Sequence, residues 1–312
     1  MSDESVLITG ASGMIGTSLA DRLLDEGYDV TGVDVEPNRW SDDVEEATVR
    51  ADLLDSDVGD ELPDDVDMLI HLAANARVHR LVKEPHRARD NFEMTFNVLE
   101  YARKNDVSKV VFGSSREVYG NKGKVIYSEE DTYVDECESP YTASKVGGES
   151  MMKAYDQCYD IDATILRFSN VYGRYDVSDR VIPLFIAQAS AGEDLTVYGD
   201  DKVLDFTYLD DCVDGIVRAV ENFHKAKGTT FNIASGEGSS LVELAEGIAE
   251  RVADDVDIHV ESNRTGEVGR YVADIDKARK VLGYDPDYSF EDGLDRTVDW
   301  YRSNEQFFEE IV

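Results

Sequence analysis

The sequence predicts an α/β fold, a doubly wound parallel sheet covered by helices on both faces. Three observations carry this expectation. Val6, Leu7 and Ile8 form an uninterrupted apolar run, the pattern of a strand buried on both sides. A glycine-rich turn, Gly10-x-x-Gly13-x-x-Gly16, follows at once; Ile15, Leu19 and Leu23 then recur every four residues, with Ala20 and Leu24 beside them, as in an amphipathic helix. Strand-like and helix-like segments continue to alternate, which places the ligand at the C-terminal ends of the strands.

Within the turn, Gly10 is placed to take a backbone angle closed to other residues. Gly13 lets a diphosphate approach the main chain, and Gly16 lets the helix pack close to the strand. The free N–H groups at the helix start, around Met14 and Ile15, then face the phosphates. Asp29 to Val33 reads as a second strand ending at Asp34. A carboxylate there accepts hydrogen bonds from ribose hydroxyls and repels a 2′-phosphate, so NAD is expected rather than NADP; Arg39, close behind, is an opposing signal. Ala47 to Ala51 reads as a third strand and Met68 to Ala74 as a fourth. A helix follows over Arg89 to Lys104, with Phe92, Phe96 and Leu99 on one face, and a fifth strand over Lys109 to Phe112.

Composition bounds what this framework does. A chain of 312 residues, 42% of them hydrophobic, buries a large core in one large or two modest domains. Acidic residues number 67 against 31 basic ones, and the formal net charge of -36 repels a phosphate backbone, so nucleic acid is not an expected partner. The carboxylates are spread through the chain rather than gathered in a tail, which points to a solvated acidic surface and a halophilic cytoplasm. Cys137, Cys158 and Cys212 are widely spaced and suggest neither a disulfide framework nor a metal site. No apolar run is long enough to span a bilayer, so a soluble cytoplasmic protein is expected. The charged segment Asn121 to Glu138 reads as a surface excursion over the active site.

The chemistry is expected just past the fifth strand. On a helix, Tyr141 and Lys145 share one face, which brings an ammonium near a phenol. Such a cation, with a positively charged nicotinamide, favours the phenolate and makes Tyr141 a general base near neutral pH.

Thr9 with the glycine spacing, the run Ser114-Ser115-Arg116-Glu117-Val118-Tyr119-Gly120, and Tyr141-Thr142-Ala143-Ser144-Lys145 in that order resemble the short-chain dehydrogenase/reductase superfamily. Arg167-Phe168-Ser169-Asn170-Val171-Tyr172-Gly173 resembles its extended branch, whose members act mostly on nucleotide-activated sugars. The resemblance implies a Rossmann sheet over 1–170 plus 205–234 as the NAD-binding domain, with a smaller substrate-binding lobe over 171–204 plus 235–312. It implies cofactor contacts at Asp52, Leu53, Leu72, Ala73, Ala74 and Asn91, and at Tyr141 and Lys145 themselves. Ser115 matches the hydroxyl that bonds the reacting sugar oxygen, and Asn170 a contact to the substrate diphosphate. Arg264 and Arg270 are further candidates for the diphosphate, the alternative being that they are counter-charges on the acidic surface, and a homodimer is implied.

Two departures stand out. Many relatives carry a phosphate-binding arginine where this chain has Leu204. Relatives that dehydrate or decarboxylate sugars commonly have Asp-Glu or Ser-Glu where this chain has Arg116-Glu117, and Glu117 keeps an elimination open. The leading expectation is an NAD-dependent epimerase of a nucleotide-activated sugar, like UDP-glucose 4-epimerase, working through a transient ketone. The alternatives are a 4,6-dehydratase or decarboxylase using Glu117, a dehydrogenase of a free sugar, and a non-catalytic NAD-binding regulator. An intact Ser115, Tyr141 and Lys145 set counts against the last.

Overall fold

The computed structural model describes residues 4–132, 134–253, 255–262 and 269–311. Its main sheet comprises β1 (Ser5–Thr9), β2 (Asp29–Asp34), β3 (Thr48–Arg50), β4 (Met68–His71), β5 (Lys109–Ser115), β6 (Asp162–Phe168) and β7 (Thr230–Ile233). The order is β7-β6-β5-β4-β1-β2-β3, and every pairing is parallel. Strand order therefore reverses between β1 and β4, and the crevice above that point is where such sheets bind ligands.

Alternation along the strands explains their unbroken apolar runs. Val6, Ile8, Met68, Ile70 and Val111 pack into one core with α1 (Met14–Asp25) and a later helix, Leu209–Glu221. Leu7, Leu69, Val110 and Phe112 pack on the other side with α2 (His86–Lys104) and α3 (Pro140–Cys158). Both faces being covered, most strand positions are apolar, and buried polar ones such as His71, Ser114 and Arg167 are hydrogen-bonded.

Helix α2 corrects one expectation. Its buried stripe is Asn91, Thr95, Val98, Leu99, Tyr101 and Ala102, whereas Phe92 and Phe96 are 45% and 46% exposed. Leu99 does face the core; the two phenylalanines form a separate apolar stripe, with Phe92 beside Gly147 of α3. The segment 121–138 is also more than a surface excursion. Ile126–Tyr127 pairs in parallel with Arg270–Ala273, the Tyr127 ring is fully buried, and the buried Glu129 accepts from the Asn232 N–H at 2.9 Å and meets Lys277 at 3.2 Å.

A third core, including Ile182, Phe185, Leu244, Ile248, Leu294 and Val298, lies beneath helices Val181–Ser190, Leu241–Val252 and Phe290–Arg302. Asp205 ties this part to the main sheet. Its buried carboxylate accepts from the Ser235 N–H and hydroxyl, from Gly236 N–H and from Ala273 N–H, at 2.7–3.2 Å. With the Thr207 hydroxyl, which donates at 3.3 Å, five donors replace its lost hydration. Among the described residues, no helix is long and apolar enough to cross a membrane.

Candidate active site

The glycine turn is built by close approach. Gly10 has φ +75°, and a Cβ there would stand 2.8 Å from the Ala73 nitrogen; a Cβ on Gly16 would stand 2.0 Å from the Gly10 carbonyl oxygen. Leu72 and Ala73 therefore cross directly under the turn. The Thr9 hydroxyl accepts from both of their N–H groups at 3.2 Å. Helix α1 begins at Met14, with Gly13 exposed as its N-cap and no side chain capping it. Its first N–H groups thus have no side-chain cap, an arrangement suited to a phosphate anion.

Asp34 ends β2 beside this turn. Its two carboxylate oxygens accept from the Ser12 and Glu36 N–H groups at 2.9 and 3.0 Å, which fixes the side chain while leaving lone pairs for ribose hydroxyls. Asp52 is exposed and accepts from the Leu54 N–H, whereas Leu53 is buried in the core. Asn91 is buried, and its amide bonds the Asn75 backbone and the Ser144 hydroxyl, pinning the segment after β4 to α2 and α3. Ala74 lies between these two anchors.

Ser115 closes β5, and its Oγ accepts from the Glu117 N–H at 3.2 Å. Tyr141 opens α3, almost fully buried. Burial pushes the phenol up to about 12, and the nearby Glu117 charge adds to this, while hydrogen bonding with Ser115 and the charges of Arg180 and Arg116 act in the opposite direction. One turn on, the Lys145 Nζ donates to the Gly113 carbonyl at 2.7 Å, and burial brings its pKa down to about 8. Besides Lys145 one turn away on α3, the charges of Arg180 and Arg116 act on the phenol. A buried ammonium needs an acceptor, and the end of β5 supplies it.

Sequence reading missed what stands behind this set. Glu149 lies one further turn along the same face of α3, so positions 141, 145 and 149 formed a readable stripe. Its carboxylate takes a bidentate pair from the buried Arg167 at 2.7–2.8 Å and accepts from the Ser114 hydroxyl at 2.6 Å. Arg167 also donates to Tyr119 OH and to the Glu129 carbonyl. His71 is a second omission: its ring lies between the Thr9 and Thr95 hydroxyls, and burial, with the Lys145 charge, pushes it down to about 3. It is a neutral spacer under the crevice.

The candidate substrate residues divide. Asn170 Oδ1 accepts from Arg116 Nε at 3.0 Å and its Nδ2 donates to the Asp205 carbonyl at 2.8 Å, so it sits next to the Ser115 loop. Glu117 is ion-paired with Arg116 at 2.9 Å. Arg270 is exposed, and because its neighbour Tyr271 packs against Arg116, strand alternation turns Arg270 away from that cluster. Arg264 lies outside the described residues.

The NAD dependent epimerase/dehydratase family model matches residues 6–234. The chain belongs to that family. The chain is 34% identical, over 96% of its length and 99% of the relative's, to UDP-glucose 4-epimerase of Mycolicibacterium smegmatis. It is 33% identical to a UDP-N-acetyl-alpha-D-glucosaminuronate decarboxylase of Bacillus cytotoxicus, over 96% and 98% of the two chains. Its fold matches that of UDP-glucose 4-epimerase from Thermotoga maritima, solved with UDP-glucose, with a TM-score of 0.88 at 28% identity, over 96% and 99% of the chains. NAD is the cofactor of the family. The glycine cradle, the uncapped N-terminus of α1 and the fixed Asp34 fit an adenine dinucleotide.

Proposed function

We propose that the protein is an NAD-dependent epimerase of a nucleotide-activated sugar, inverting a ring carbinol through a transient ketone. The observation that carries this reading is that Ser115, at the C-terminal end of β5, is hydrogen-bonded with Tyr141, two strands along the sheet from the glycine cradle that follows β1. Bound NAD supplies a reversible hydride acceptor and, when oxidised, a positive ring charge. Tyr141 takes the hydroxyl proton and returns it when the ketone is reduced from the opposite face. Its phenolate is disfavoured by burial, so the Ser115 hydroxyl and the Arg180 and Arg116 charges matter to its basicity. Ser115 also orients the reacting oxygen. In this reading Lys145, whose Nζ also donates to the Gly113 carbonyl, holds a cofactor ribose. Glu149 and Arg167 keep the Ser114-Ser115 turn and α3 in register, because each leaves the other unpaired if moved.

One observation favours epimerisation over elimination. Glu117, the group a dehydratase or decarboxylase would use, is engaged by Arg116 and anchored to Ser115 through its N–H. A second reading as a dehydratase keeps support from the same residue, since its charge acts on Tyr141.

Incubation with UDP-glucose, UDP-N-acetylglucosamine and dTDP-glucose, read by NMR and mass spectrometry, tests the proposal. The expected product is a stereoisomer of unchanged mass, with no net NADH, and Glu117→Gln retains turnover. Loss of water or carbon dioxide, abolished by Glu117→Gln, would replace epimerisation with elimination.

A further inference from the structure

The loop that follows Asp34 is stitched to the glycine turn. Ser12 Oγ donates to the Glu36 carbonyl at 2.8 Å, Asn38 Nδ2 donates to the Ala11 carbonyl at 3.1 Å and to Thr17 Oγ1 at 2.9 Å, and Ser41 Oγ donates to Asp21 at 2.6 Å. Arg39 stands in sequence between these anchors, five residues past Asp34. In a dinucleotide fold, an arginine near that point accommodates a 2′-phosphate, and its planar fork suits the anion.

This guanidinium is directed elsewhere. It lies 4.5 Å over the Trp40 ring and 5.3 Å from the Phe307 ring, and it pairs with Glu310 at 2.9 Å. Trp40 in turn stacks on Tyr175 at 5.1 Å and meets Phe307 edge-on at 5.0 Å. The segment Glu305–Ile311 is therefore brought back across the chain onto the loop after β2.

We propose that this C-terminal segment is a cofactor-specificity element: Phe307 and Glu310 hold Arg39 away from the ribose pocket and leave Asp34 to meet the 2′-hydroxyl. Discrimination against NADP then has two parts, repulsion by Asp34 and withdrawal of the cation that would offset it. An exposed cation–π contact and an exposed ion pair each amount to a factor of a few, so releasing Arg39 is expected to strengthen NADP binding about tenfold.

The test uses the full chain and displacement of bound NADH by NADP or NAD, followed by nucleotide fluorescence at fixed salt. Asp34→Ser first makes NADP binding measurable. In that background, Glu310→Gln and Phe307→Ala are each expected to raise NADP affinity several-fold, and together about tenfold, while NAD affinity stays within about twofold. Adding Arg39→Ala should erase the gain. An unchanged NADP-to-NAD ratio in both variants, or a gain that survives Arg39→Ala, would overturn the proposal and leave the aromatic cluster as packing alone. Glu310→Gln is a surface change, so the result does not depend on how Phe307→Ala folds.

Discussion

Replacing Lys145 by methionine should make the protein more stable and less functional. The ammonium is almost fully buried, its Nζ donates to the Gly113 carbonyl at 2.7 Å, and its pKa falls from 10.5 to about 8, chiefly through burial. At 1.36 kcal/mol per pH unit, keeping that charge inside the fold at neutral pH costs about 3 kcal/mol. Methionine has a similar length and no charge, but it leaves the Gly113 carbonyl without its donor, at about 1–2 kcal/mol. The net expectation at pH 7 is a gain of about 1–2 kcal/mol. The folded pKa lies below the unfolded one, so the destabilisation is complete below pH 8 and shrinks as pH rises from about 8 to 10.5. The advantage of the variant should therefore vanish near pH 10.5. Urea unfolding of nucleotide-free wild type and Lys145→Met at pH 7 and pH 10.5, in one salt concentration, measures both values. NADH binding by fluorescence should weaken in the variant at neutral pH. A variant less stable than wild type at pH 7, or an advantage that persists at pH 10.5, would refute the reasoning. A stability cost of this kind is expected where a charge is kept for function.

Two further outcomes follow from the same geometry. Tyr141→Phe keeps the ring and removes the proton acceptor, so turnover should drop by at least ~10²-fold while NADH affinity and unfolding midpoint hold; near-normal turnover would remove Tyr141 from the mechanism. Phe92 and Phe96 form an exposed apolar stripe on α2 beside α3, a surface suited to a second copy of the chain. Phe96→Asp should convert a dimeric mass in light scattering to a monomeric one, and an unchanged mass would move the interface elsewhere.

What the sequence disclosed was what local rules govern. The run Val6 to Ile8, the glycine spacing and the helical period after it depend on neighbours within a few residues, and the parallel sheet with its crevice above Gly10 follows from them. Asp34 was legible because it ends a strand at a fixed distance from the turn. Long-range pairings were not. Phe92 and Phe96 share a helical face with Leu99 by periodicity, yet only the approach of α3 decides which stripe is covered. The acidic run 121–138 carries no strand signal of its own, because Ile126–Tyr127 is held by a partner nearly 150 residues away. Lys145 shares a face of α3 with Tyr141 by spacing, but its acceptor is a backbone carbonyl that no residue type announces. Likewise, nothing local to Glu149 or Arg167 announces that the fold buries them against each other.

The surface charge leads to a last prediction. A formal net charge of -36 means that carboxylates face carboxylates even after ion pairs are counted. On helix Leu241–Val252, Glu246 and Glu250 are exposed one turn apart, a spacing at which like charges repel. Around Phe290–Arg302, Asp287, Asp292, Asp295 and Asp299 line one depression with Arg296. The screening length is about 10 Å at 0.1 M salt and about 3 Å at 1 M, so such pairs feel each other fully in dilute buffer and little in molar salt. Stability should therefore rise steeply with potassium chloride. Salt also strengthens apolar burial, and a charge reversal separates the two causes. Glu250→Lys turns a repulsive pair into an attractive one and places a cation in the last helical turn, worth about 0.5–1 kcal/mol at low salt. If repulsion is the cause, that gain appears in urea unfolding at 0.1 M and disappears at 2 M. A gain of equal size at both concentrations, or a wild type equally stable at both, would show that the acidic surface is not what ties this fold to salt.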